Sequence, residues 1–236
     1  MHPAQHSRQT AAPSTAVTLR AGNVALAGDL TVPPEATGIV VFAHGSGSSR
    51  LSPRNRTVAR SLESDGFATL LFDLLTRDEE AAERYTRHLR FDIPLLATRL
   101  IDAVEWVSRQ DRVASLPVGL FGASTGAAAA LIAAAHTDTQ AVVSRGGRPD
   151  LAGDVLPRVR CPTLLIVGGD DVDVLELNRR AMKRMSTSTA IHVVPDAGHL
   201  FEEPGALAEV VHVASQWFQK HLSRLHAEQP AARWEV

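Results

Sequence analysis

The chain has 236 residues, 44% hydrophobic and 21% charged, with 24 basic against 26 acidic side chains and a formal net charge of −2. That make-up fits one large globular domain with a sizeable core, and the missing basic excess argues against a nucleic-acid partner. Cys161 is the single cysteine, which excludes an internal disulfide and a cysteine-based zinc site.

Residues 1–14 are polar and rich in Pro and Ala, and read as a loose lead-in. They lack the apolar core of a signal peptide. No stretch approaches the roughly 20 apolar residues that span a membrane, so a cytoplasmic protein without a membrane partner is expected. "AVTLRAGNVALAGDLTVP" reads as two strands turning at Ala21-Gly22-Asn23. "GIVVFAH" is a continuous apolar run, typical of a strand buried on both faces. A helix over 54–65 carries Val58 and Leu62 one turn apart and stops at Gly66. "FATLLFD" is a second buried strand. The link 74–96 is long and charged, and could form a partial lid, a point the sequence leaves open.

The segment "DIPLLATRLIDAVEWVSRQ" sets Leu96, Leu100, Ile101, Val104 and Val107 on one helical face. "PVGLFG" is a strand and "STGAAAALIAAAH" a helix whose small residues allow close approach to a sheet. "QAVVS" and "CPTLLIVG" are strands, and Cys161 at the start of the latter reads as a small buried residue. "VLELNRRAMKRM" is a helix and "AIHVVP" the last strand. A final helix aligns Leu207, Val210, Val211, Ala214, Trp217 and Phe218. Residues 223–236 show no clear period and read as a tail. Short apolar strands alternating with helices predict one α/β domain over 15–222. Its sheet is mostly parallel and twisted, with an antiparallel N-terminal hairpin and helices on both faces.

In such a sheet, ligands bind at the carboxyl ends of the strands. Four strands end in His44-Gly45-Ser46-Gly47, in Gly122-Ala123-Ser124-Thr125-Gly126, in Gly168-Gly169-Asp170-Asp171, and in the turn holding His199. The second fits G-x-S-x-G, the strand–turn–helix elbow that exposes a nucleophilic serine. Side chains two residues before and after Ser124 would clash in so sharp a turn, and glycine at both places removes the clash. The helix after Ser124 aims free N–H groups at the reacting oxygen. The bland alternative is a glycine-rich turn without chemistry.

Serine needs a base. Of the five histidines after the acid strand, His192 lies inside a strand, His212 is off the apolar face of its helix, and His221 and His226 are at the chain end. His199 alone occupies a strand-to-helix loop after a glycine. Asp171 is the preferred acid among Asp170, Asp171 and Asp173, with Asp150 an outside candidate. A Ca²⁺ loop is disfavoured, because "DDVDVLELN" lacks the turn glycine and the twelfth-position glutamate; no metal or cofactor is expected. The backbone N–H groups of Ser46 and Thr125 are the expected oxyanion donors. Arg50, Arg145 and Arg148 follow strand ends and are weaker candidates for binding a substrate carboxylate.

"VVFAHGSGSSR", "GASTG", "LLIVGGDD" and "DAGHLF" together resemble the α/β-hydrolases, and among them the dienelactone hydrolase-like group, across 15–222. The resemblance implies Ser124 as nucleophile, Asp171 as acid and His199 as base. Dienelactone hydrolases carry cysteine at the elbow, so the serine here favours ordinary ester chemistry. The expected function is hydrolysis of small or short-chain carboxylic esters, with thioester, lactone, peptide or acyl-transfer chemistry sharing the same residues. A nucleotide-binding module is disfavoured, because Arg50 stands where a dinucleotide loop needs its third glycine and no P-loop lysine is present. A non-catalytic binding protein on this fold is disfavoured by the intact Ser, Asp and His. The sequence leaves a homodimer open.

Overall fold

The computed structural model describes residues 12–222. An antiparallel hairpin, β1 (Ser14–Ala21) and β2 (Val24–Thr31), leads into β3 (Gly38–Ala43), α1 (Pro53–Ser64) and β4 (Phe67–Phe72). The link after β4 holds α2 (Arg77–Thr86) and a 3-10 turn, Leu89–Phe91, before α3 (Ile93–Val107). Then come β5 (Val118–Ala123), α4 (Thr125–Ala134), β6 (Thr139–Arg145), a 3-10 stretch at Pro149–Arg158, β7 (Thr163–Gly168), α5 (Val172–Met182), β8 (Thr189–Val194) and α6 (Ala206–His221).

The eight strands run in the order β1-β2-β4-β3-β5-β6-β7-β8. β2 pairs antiparallel with β4, and every later pairing is parallel. The mostly parallel sheet is the one expected from the alternating pattern, and the whole is the α/β-hydrolase arrangement that the motif resemblance implies. Every residue of β3, β4 and β7 is buried, which is why these strands read as unbroken apolar runs. One core contains Leu96, Leu100 and Val104 of α3 and Ala128, Ala129, Ala130, Ala133 and Ala134 of α4. The other contains Val58 and Leu62 of α1 and Val210, Ala214 and Phe218 of α6. Nine of the ten residues of α4 are buried, so it shows no polar face and its alanines let it lie close to the sheet.

The link 74–96 holds a helix that the sequence reading does not assign. Thr76 Oγ1 accepts the Glu79 N–H at 3.2 Å while a Glu79 oxygen accepts the Thr76 N–H at 2.7 Å, a capping box. Buried Arg99 of α3 donates to both Glu79 oxygens, at 2.6 and 2.8 Å, and pins α2 to the domain. The segment flanks the strand-end loop 44–48: Leu74, Leu75, Glu80, Arg90 and Leu96 line a small cleft with His44 to Ser48. The 3-10 stretch at 149–158 kinks at Gly153 (φ 55°) and inserts no cap domain.

Candidate active site

β5 lies between β3 and β6, so the elbow at its end is flanked by the ends of both neighbours. Ser124 takes φ 51°, ψ −121°, a strained conformation for a residue with a Cβ. Three hydrogen bonds hold it there: its N–H donates to Arg145 O, and its carbonyl accepts from Arg148 N and Ala127 N, each at 3.1 Å. A Cβ at Gly122 would come 2.4 Å from Ala127 Cα, and one at Gly126 would come 2.3 Å from Ala43 O. Both obstacles are backbone, so glycine is required two residues to either side of Ser124.

The β7 and β8 loops are sewn together. Gly169 N donates to Val194 O at 2.8 Å and Asp170 N to Ala197 O at 3.0 Å. A Cβ on Gly168 would come 2.2 Å from Ala197 O, so the two turns pack backbone on backbone. Glu203 Oε1 accepts the Gly198 N–H at 3.0 Å, and the backbone N–H groups of Glu203 itself and of Gly198 hold its carboxyl below the ordinary range. These contacts set His199 between two partners. Its Nδ1 is 2.7 Å from Asp171 Oδ2 and its Nε2 is 3.3 Å from Ser124 Oγ. With Nδ1–H donating to the carboxylate, Nε2 is left to accept the serine proton. Asp170 and Asp173 point to solvent, and Asp150 is paired with Arg148. His192 meets Glu209, His212 is exposed, and the His221 ring packs at a tilt against Trp217; His226 lies outside the described residues.

The expected oxyanion donors lie together, with a link that the sequence does not reveal: the Ser46 N–H donates to Thr125 Oγ1 at 3.0 Å. His44 braces the same loop from below. Its Nδ1–H donates to Gly45 O and its Nε2 accepts the Leu74 N–H, both at 3.0 Å, and burial pushes its pKa down, so it stays a neutral prop.

The three arginines divide. Arg50 donates to Asp73 through its backbone N–H and its guanidinium and also meets Asp29, so it anchors its own loop. Arg148 forms a forked pair with Asp150 at 2.7 and 2.8 Å. Both of these weaker candidates for a substrate carboxylate already meet carboxylates of this chain. Among the described residues Arg145 has no such partner. Among the described residues no group of three or more potential metal ligands comes together, and no helix is long and apolar enough to cross a membrane.

Sheet, elbow and strand-end loops define an α/β-hydrolase fold. The dienelactone hydrolase family model matches residues 25–227, and the chain belongs to that family. A solved dienelactone hydrolase from Anabaena variabilis is 55% identical, with a TM-score of 0.89 over 90% of this chain and all of that one. Est1E from Butyrivibrio proteoclasticus shares the fold at 16% identity, TM-score 0.72, covering 87% of this chain and 98% of its own. A curated Mycobacterium tuberculosis protein, named provisionally as a phosphoribosyl transferase, is 61% identical over 204 residues, 86% of this chain. The chain spans only 45% of the length of that relative.

Proposed function

We propose that the chain is a serine hydrolase that cleaves small or short-chain carboxylic esters through an acyl-enzyme. The observation that carries this reading is the continuous path Asp171–His199–Ser124, with steps of 2.7 and 3.3 Å. His199 Nε2 takes the serine proton as Oγ attacks the acyl carbon. Asp171 holds the imidazole tautomer and stabilises the imidazolium. The tetrahedral oxyanion takes the N–H groups of Ser46 and Thr125, displacing or sharing the contact of Ser46 with Thr125 Oγ1. Losing one such donor typically costs about 2.7–4 kcal/mol of transition-state stabilisation. The imidazolium then protonates the leaving alcohol, and water repeats the sequence to release the acid. No step needs a metal or cofactor. The transferase name of the curated relative belongs to a protein of which the matched part is 45%, and we apply the hydrolase reading to that part alone.

Fluorophosphonate labelling with peptide mass mapping tests the nucleophile: the adduct is expected on Ser124. Hydrolysis of p-nitrophenyl esters, thioesters, lactones and amides side by side tests the class, with esters expected fastest. An adduct on any other residue overturns the proposal.

A further inference from the structure

Arg145 is the last residue of β6, and its surroundings are unlike those of the other strand-end arginines. Ser144 before it faces α4: a Cβ on neighbouring Gly147 would run into both Ser144 Oγ and Ala127 Cβ. Successive strand residues alternate faces, so Arg145 points to the opposite side, that of α1 and α6. Its carbonyl receives the Ser124 N–H. The next residue, Gly146, packs on the base, where a Cβ would lie 3.1 Å from His199 O. The side chain is thus rooted between the two reacting residues.

The residue is 8% exposed. Its Nε and Nη1 are buried, and among the described residues nothing accepts a hydrogen bond from either. Arg50, Arg90, Arg99 and Arg148 each meet a carboxylate, and among the described residues Arg145 meets none. The charge acting on it is another cation, Arg54 of α1. The Arg54 Nη1 donates to Glu202 at 2.9 Å, while its Nε is also buried without a partner. Burial, then Arg54, draw the Arg145 pKa down to about 10, so the group stays charged at neutral pH. A buried charge with unused donors is costly unless an opposite charge meets it, and here two cations leave three donor atoms unused. Guanidinium groups fit the planar or tetrahedral oxygens of carboxylate and phosphate.

We propose that Arg145 and Arg54 together form a receptor for an oxyanion, a carboxylate or phosphate carried by the ligand that reaches Ser124. The placement beside the reaction rests on the serine-hydrolase reading above; the anion receptor itself does not.

The test has a binding arm and a kinetic arm. Inorganic phosphate and acetate are titrated separately at fixed ionic strength, set with chloride, against the wild-type chain, Ser124→Ala, Arg145→Met and Arg54→Gln. Thermal shift and calorimetry provide the readouts. One of the two anions is expected to bind the wild type and Ser124→Ala saturably, and which one does so names the source. Removing a charge-assisted pair should weaken that binding roughly 10- to 100-fold in Arg145→Met and Arg54→Gln. In the kinetic arm, kcat/KM is measured for a p-nitrophenyl ester whose acyl part carries that anion and for its neutral counterpart. The ratio should fall by a similar factor in both arginine variants. Arg54 is partly exposed, so Arg54→Gln keeps the test decisive even where Arg145→Met fails to fold. No saturable response to either anion, or a response or ratio unchanged in the arginine variants, overturns the proposal. Failure of the nucleophile reading is separate: hydrolysis would then survive in Ser124→Ala while anion binding is unaffected.

Discussion

Ser124 holds a left-handed φ of 51°, and three backbone hydrogen bonds from the surrounding turns keep it there. Strain of this kind typically costs about 1–3 kcal/mol and persists only where neighbours enforce it. Replacing the side chain leaves that scaffold in place. Ser124→Ala should therefore fold with an unchanged circular dichroism spectrum, lose fluorophosphonate labelling, and lose ester hydrolysis; full activity in that variant would remove Ser124 from the reaction. Asp171→Asn should lower kcat by about 10⁴, the loss seen when the base is left in the wrong tautomer. Asp170→Asn and Asp173→Asn, both exposed, should stay within about tenfold. If Asp170→Asn is instead the crippled variant, the 2.7 Å contact of Asp171 with His199 is not the functional one. Asp171, preferred in the sequence among three close aspartates, is the one whose carboxylate the fold brings to His199, at 2.7 Å. The arginines were not legible. Whether Arg50 is free or paired depends on Asp73 and Asp29, which only the folded sheet brings to it.

The element hardest to read from sequence is the link between β4 and α3. Its charges suggest solvated coil, yet Glu83 is fully buried. Its carboxylate accepts the N–H groups of His88, Leu89 and Arg90 at 2.8–3.1 Å, the Thr86 hydroxyl, and the Arg90 guanidinium. Burial works against this charge, but the Leu89 N–H and Arg90 outweigh it and hold the pKa at about 2, against 4.5 for an ordinary glutamate. Thr76 and Glu79 at capping-box spacing were a helix signal in the sequence. Nothing in the sequence told Glu83 apart from the exposed acids around it. Because the folded pKa is depressed, the charged form stabilises the native state above about pH 4.5, and this contribution is lost as pH falls toward about 2. Glu83→Gln is expected to raise hydrogen exchange at the amides of His88, Leu89 and Arg90 at neutral pH. The stability difference between wild type and variant should shrink between pH 4.5 and 2. A difference that stays constant over that range would mean the carboxylate charge is not what orders the turn.

At the scale of the whole molecule, the mostly parallel sheet with its antiparallel N-terminal hairpin was legible because short buried strands and helices alternate in a regular order. What the order does not reveal is where the space is. A cavity of about 470 Å³ lies between the end of α3, the loop into β5 and the α4–β6 turn, lined by Val104, Leu116, Pro117 and His136. That is the edge of the sheet opposite Ser124, and it offers no room to an acyl group on the serine. Beside loop 44–48, the cavity bounded by Asp73, Leu75, Thr76, Arg77 and Glu80 is only about 180 Å³. Drug-sized ligands usually fill roughly 300–1,000 Å³, so a long acyl chain would have to lie on the open surface. Opening the 74–96 link is no easy remedy, since Arg99 and the Glu83 cluster tie it down. In a series of p-nitrophenyl esters from acetate to palmitate, kcat/KM should therefore peak at four carbons or fewer. Each added methylene that finds no cavity forgoes the roughly 0.8 kcal/mol its burial would have contributed. The decline beyond the peak should appear in kcat as well as KM, because a chain without a pocket also misplaces the carbonyl against the Ser46 and Thr125 N–H groups. A maximum at twelve carbons or longer would show that these loops open further than their hydrogen bonds imply.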